Sequence, residues 1–165
     1  FEKYAFAFDN KCMNMDLMRL VLAIHDIGKA IDRSTQHEHT LSLVRELWEN
    51  TPFTEHEFNL VEVLLRDDHL GSYFQNKYEL SDLKEEIVAN ATELKMSPSI
   101  LLQYKMILYQ CDIASYTKDA GGLKYLEHMF VYENGEKAFD EENGIIAMSE
   151  EYADRYVNLK ESINE

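Results

Sequence analysis

A chain of 165 residues with 45% hydrophobic content is long enough to bury a core of its own, so neither a metal nor a disulfide framework is needed merely to hold it together. Its 31 acidic against 16 basic residues give a formal net charge of −15. A field of that sign excludes broad nucleic-acid binding through a basic surface, though not a small phosphorylated ligand held beside a divalent cation. Cys12 and Cys111 are too few for a Cys-rich zinc site and read as reduced thiols of a cytoplasmic protein. No apolar run approaches the ~20 residues of a membrane span, and no signal-peptide pattern is visible. The chain opens on Phe1, which leaves residues upstream, or a longer parent protein, as an expectation.

Only 2 prolines and 6 glycines punctuate the chain, and apolar residues recur at spacings of three and four, which predicts an all-α fold. The first helix is expected over about 15–26, with Met15, Met18, Leu22 and His25 on one face and Met13, Met15 and Met18 as core filler. Gly28 then turns the chain into a loop, residues 27–35, that carries Lys29, Asp32 and Arg33. A second helix is expected over about 36–50, with Leu41, Val44, Leu47 and Trp48 apolar. Thr54 and Glu57 form a capping box that opens a third, running to near Gly71. A fourth is expected over about 81–95. Ser97 and Pro98 open a fifth, whose buried stripe is Ile100, Leu101, Tyr104, Ile107, Leu108 and Cys111 and which ends near Tyr116.

After Gly121-Gly122 a short helix is predicted over 123–129, and a β-hairpin over residues 130–139 around Asn134-Gly135, the preferred type I′ turn. Asp140, Glu141 and Glu142 read as a solvated turn. The last helix starts near Ser149 and docks through Tyr152, Tyr156, Leu159 and Ile163. With no repeat or linker, residues 1–165 form a single domain, with a core of about 15–118 and an extension of hairpin and helix over 123–165.

His25-Asp26-Ile27-Gly28-Lys29 is the stretch that points to chemistry. An Asp following an apolar helical face must be paired, capped or bound to metal. Imidazole and carboxylate together suit Mn, Fe, Co, Ni, Zn or Mg, and Lys29 supplies a point charge for phosphate. Far along the chain Asp112 is the one acid in Tyr109-Gln110-Cys111-Asp112-Ile113-Ala114-Ser115. An isolated carboxylate on such a helix needs a partner, and a divalent cation is a suitable one. His56 and His128 read as solvated or packed. No Walker loop, dinucleotide-binding turn or nucleophile elbow is present.

The pentapeptide and the distant Asp112 resemble the HD-domain superfamily of metal-dependent phosphohydrolases, over roughly Met15 to Lys118. The resemblance implies an all-α, HD-domain-like helical bundle with one or two divalent ions. His25, Asp26 and Asp112 are the implied ligands of the first. A second ion falls to His69 and to one of His37 and His39. His39 is favoured because Leu43 and Leu47 extend its helical face toward the core. Asp26 orients or deprotonates the attacking water, while Lys29, Arg33 and Arg66 neutralise phosphoryl charge. The implied substrate is a nucleotide or related phosphate ester, mono- or diester. The family's first His has no counterpart between Phe1 and Ile24; it lies upstream or is replaced, with Asp9, Asn10 and Asp16 as stand-ins. The Gly-Tyr-Pro motif of cyclic-dinucleotide hydrolases is missing. A second class of function is a degenerate, non-catalytic HD-fold module that binds a ligand or a protein partner, with the hairpin, Tyr152 and Tyr156 as its docking surface. Self-association into a homo-oligomer is compatible with either.

Overall fold

In the computed structural model, which describes residues 14–116 and 124–164, the chain runs through α1 (Met15–Ile24), α2 (Gln36–Trp48), α3 (Glu55–Leu65), α4 (His69–Phe74), α5 (Leu80–Glu93) and α6 (Pro98–Ser115). Two small antiparallel hairpins follow, β1 (Tyr132–Glu133) with β2 (Glu136–Lys137) and β3 (Phe139–Asp140) with β4 (Ile145–Ile146), and α7 (Glu150–Asn164) closes the described chain. Asp9, Asn10, Cys12, Met13, Gly121, Gly122 and Leu123 lie outside the described residues. No described helix is long and apolar enough to cross a membrane.

Local chemistry sets several of the helix starts. The Asn14 side chain accepts from the Leu17 amide and starts α1. The expected capping box forms at Thr54 and Glu57 and starts α3. Pro98 starts α6, although the Ser97 side chain makes no capping hydrogen bond. One boundary differs from expectation. The third helix does not continue to Gly71 but breaks after Leu65, because the Asp68 carboxylate accepts from the Gly71 amide and caps a new short helix, α4. An acceptor at that position competes with the helix for backbone donors. The break leaves Asp67 and Asp68 at a bend between two helices.

α6 is the central helix, packed against α1, α3, α4, α5 and α7. The predicted single stripe is therefore too narrow. Leu102 and Met106 lie off it and are buried, as are Lys105 and Gln110, whereas Leu108 and Cys111 are only partly so. A helix apolar nearly all round belongs inside the layer of helices around it. Gln110 is fully buried and acts as an extra strand partner: its Nε2 donates to the Ile146 carbonyl and its Oε1 accepts from the Ile146 amide, both at 2.9 Å. That pair ties β4 to α6.

In the first hairpin Asn134 and Gly135 take φ of 53° and 85°, both positive as a type I′ turn demands. It is shorter than predicted. Phe139 belongs to the second hairpin, paired with Ile146, whose two-residue strands are too short to show alternation. Glu141 and Glu142 sit exposed at its turn. α7 docks through Tyr156, Leu159 and Ile163. With Tyr156 only 2% exposed, the expected docking surface loses that residue to the core.

The turn after α1 is held against α2 at Gly28. Its amide donates to Thr40 Oγ1 at 3.0 Å, and Thr40 is buried. A Cβ on Gly28 would stand 2.1 Å from the Gln36 carbonyl oxygen and 2.6 Å from the Thr40 amide. Thr40→Val preserves the shape but leaves the Gly28 amide without an acceptor. We expect a loss of about 1–3 kcal/mol, read as a lower midpoint of urea unfolding with an unchanged m-value.

Candidate metal centre

α1 ends at Ile24, and the 3-10 turn of Ile27–Ala30 follows at once. His25 and Asp26 occupy the junction, and Asp112 meets them from the last turn of α6, 87 residues away from His25 in sequence. His25 Nε2 lies 3.1 Å from Asp112 Oδ1 and 3.6 Å from Asp26 Oδ2. Its Nδ1 lies 2.8 Å from the Leu22 carbonyl oxygen. A carbonyl oxygen only accepts, so Nδ1 carries a hydrogen and donates. Nε2 is then left facing two carboxylates. Either it too is protonated, or a cation takes the proton's place. The His25 pKa is raised accordingly. The hydrogen bond to Asp112 is the main cause, working against burial and helped by the Leu22 carbonyl and the carboxylate charges.

The donor set fits a divalent ion. Bonds of ~2.1 Å at octahedral or tetrahedral angles put neighbouring donors about 3.0–3.4 Å apart, close to the 3.1 Å and 3.6 Å observed. One donor atom from each of His25, Asp26 and Asp112 lies within 4.8 Å of the others. Fixing Nδ1–H on a backbone carbonyl is the usual way a ligating imidazole is oriented. Asp26 is also held from outside: Lys29 Nζ donates to its Oδ2 at 2.6 Å and Tyr116 Oη at 3.3 Å. Lys29 in turn donates to Tyr116 Oη at 3.1 Å. Burial pulls the Lys29 pKa down, but the hydrogen bonds to Asp26 and Tyr116 outweigh it, and the net shift is upward.

His25, Asp26, Asp112 and Lys29 line a cavity of about 160 Å³ whose charged walls carry Asp26, Asp67, Asp68 and Asp112 against Lys29 and Lys105. Four carboxylates against two ammonium groups leave the lining net negative, and Glu86, paired with Lys105, adds to that excess, which favours a cation. The excess is felt at Asp68. Desolvation raises its pKa and the charge of Asp112 adds to this, over the opposing pull of the Gly71 amide and of His37.

Of the residues expected from sequence, His25, Asp26, Asp112 and Lys29 meet here. His37, rather than the favoured His39, lines the cavity. The buried face of α2 is Thr40, Val44 and Trp48, which His37 shares, whereas Leu47 is 53% exposed and does not draw His39 inward. His37 Nδ1 bonds the Leu65 carbonyl at 3.0 Å, which makes Nε2 the acceptor, and the Gln36 amide nitrogen lies 3.5 Å from it. His39 instead acts on the Asp32 carboxylate, whose pKa is lowered chiefly by Ser34 and further by His39.

His69 stands apart from the cavity lining. Its Nδ1 bonds Glu86 Oε2 at 2.6 Å and its ring stacks on Tyr78 at 4.4 Å. Arg33 and Arg66 are also off the lining; Arg66 is exposed and donates to Asn90 Oδ1 at 3.2 Å. Asp16 is exposed and paired with Arg19 at 2.7 Å. Sequence reasoning missed Tyr116, Glu86 and Lys105. Of these only Lys105 carries a visible signal, a lone cation within an apolar helix. No protein-family model matches the chain, and comparison with curated proteins and with solved structures yields no match.

Proposed function

We propose that this chain is an HD-type, metal-dependent phosphohydrolase acting on a nucleotide or related phosphate mono- or diester. The observation that carries the reading is His25 Nε2, turned toward Asp112 and Asp26 while Nδ1–H is committed to the Leu22 carbonyl. In this reading His25, Asp26 and Asp112 hold one divalent ion. The ion supplies Lewis acidity, polarising a phosphoryl oxygen and making water a stronger nucleophile. Asp26 orients the attacking water and takes its proton. Lys29, anchored by Asp26 and Tyr116, balances charge that builds on the phosphoryl oxygens. Arg33 and Arg66 receive no part, since neither reaches the cavity lining. Of the residues expected to hold a second ion, His69 and His39 are off the lining, and His37 takes the place of His39 there.

The test is hydrolysis of p-nitrophenyl phosphate and bis(p-nitrophenyl) phosphate with Mn, Fe, Co, Ni, Zn or Mg supplied singly. The wild type is expected to hydrolyse at least one pair, and Asp26→Ala to lose at least about a thousandfold in rate. Full activity in that variant rejects the assignment.

Cation binding also sets a pH dependence of known sign. Below the raised pKa of His25, an ion must displace the Nε2 proton, so Mn2+ affinity falls about tenfold per pH unit. The metal-free protein behaves in the opposite way. A raised pKa in the folded state contributes stability that is fully present below the ordinary value of about 6.5 and is lost as pH rises through the raised one. Mn2+ titrations followed by electron paramagnetic resonance, alongside urea unfolding of the metal-free chain, should therefore trend in opposite directions with pH.

A further inference from the structure

Beside the metal centre lies a second group of metal-ligating residues. One donor atom each from Asp67, His69 and Glu86 lies within 4.8 Å of the others. Like Asp26 with Lys29, it already holds a cation of the chain's own, but here the ammonium contacts two of the three members rather than one. Lys105 Nζ is 3.3 Å from Glu86 Oε1 and 3.6 Å from Asp67 Oδ1, and the side chain is 5% exposed. A buried ammonium is costly unless it is paired. Here Glu86 and Asp67 supply that pairing, and the acidic group is satisfied without an added ion.

Lys105 is also part of the cavity lining. It stands seven residues before Asp112 on α6, two turns along one helical face, a rise of about 10.5 Å. The cavity therefore has the His25–Asp26–Asp112 triad at one end and a buried, carboxylate-held ammonium at the other. An ammonium has three donors. The described residues give Lys105 one hydrogen bond, to Glu86, and one longer ion pair, to Asp67. A donor remains for an anion inside the cavity.

We infer that Lys105 is a substrate-binding residue: its ammonium, seated in the Asp67–His69–Glu86 group where a second metal ion would otherwise go, binds the phosphate of the substrate. The substrate part of this inference rests on the phosphohydrolase reading. The chain then works with one exchangeable ion, and its second positive charge is covalently attached.

The probes are Mn2+, counted per chain by elemental mass spectrometry after desalting, and inorganic phosphate, titrated calorimetrically with and without Mn2+. Wild type is expected to retain one ion per chain and to bind phosphate. Lys105→Met is expected to keep the ion and bind phosphate at least tenfold more weakly, while Lys105→Arg stays within about threefold of wild type. Because Lys105→Met strands two carboxylates, Lys105→Met/Glu86→Gln is measured beside it, with the unfolding midpoint as a check that both fold. Phosphate binding as tight as wild type in either folded variant overturns the inference. So does a wild type that retains a second ion which Glu86→Gln removes, or one that keeps its ion yet binds no phosphate; in these cases the metal-centre reading survives. A wild type that retains none of Mn, Fe, Co, Ni, Zn and Mg, each loaded singly, sinks the metal-centre reading instead, and phosphate binding measured without metal still decides for or against Lys105.

Discussion

Asp112→Ala is expected to strip the chain of its divalent ion. Three side chains converge at the centre, and Asp112 is the only one supplied by α6; the other two are neighbours at the end of α1. Without it, two donors remain on one side of the ion. Changes to residues merely supporting a metal ligand cost tenfold to a hundredfold in affinity, so loss of a ligand itself should exceed about a hundredfold. Elemental mass spectrometry after loading and desalting should find the ion in wild type and essentially none in the variant. A second readout separates this from unfolding. The Asp112 hydrogen bond is the main cause of the raised His25 pKa, so in the metal-free variant the His25 proton signals should titrate closer to the ordinary value of about 6.5. The Asp112 side chain is a third exposed, so the fold itself should lose little. A variant that keeps its ion would rule out Asp112 as a ligand. A wild type that keeps none under any metal, and hydrolyses nothing, would favour the non-catalytic binding module.

Gly28→Ala should be the most destabilising single methyl addition in the helical core. The glycine is needed here for closeness, since the added Cβ would stand 2.1 Å from the Gln36 carbonyl oxygen and 2.6 Å from the Thr40 amide. Both are backbone atoms of α2 or its first turn, which cannot swing aside as a side-chain tip would. Overpacking costs about 1–3 kcal/mol in ordinary cores, and a contact this short against rigid backbone puts the variant at ~3 kcal/mol or above. The midpoint of urea unfolding should fall accordingly. Because the 3-10 turn carries Lys29 and follows Asp26 directly, Mn2+ retention should weaken in the same variant even at temperatures where it stays folded. A midpoint within ~0.5 kcal/mol of wild type would mean that the turn can lift off α2 without penalty, and that the site is less rigidly mounted than the contacts imply.

The two predictions differ in what the sequence alone could supply. His25-Asp26 and Asp112 stand out because a polar group in an apolar segment needs a partner, and that need is visible without knowing where the partner lies. The tightness at Gly28 is not visible. A glycine after a helix reads equally well as a C-cap, and only the approach of α2 makes it a spacing requirement. The preference for His39 over His37 failed to anticipate the lining for a related reason. Both lie on one helix two residues apart, and the choice depended on which face α2 turns inward. Leu47 suggested one face, but it is a solvent-exposed leucine, and the actual buried face runs through Thr40, Val44 and Trp48.

What the sequence determined by itself is local: the capping box at Thr54 and Glu57, the start of α6 at Pro98, the left-handed Asn134-Gly135 turn, and the presence of a His-Asp pair and a lone Asp112 in need of partners. Each rests on interactions within about four residues, where backbone geometry permits few alternatives. The tertiary structure alone decided the break after Leu65, the burial of α6 beyond its single apolar stripe, the choice of His37, and the seating of Lys105 between Asp67 and Glu86. Those outcomes depend on how helices pack, and packing brings together side chains as far apart as the 87 residues between His25 and Asp112. No local pattern encodes the direction of a side chain relative to an element it meets only in the folded state.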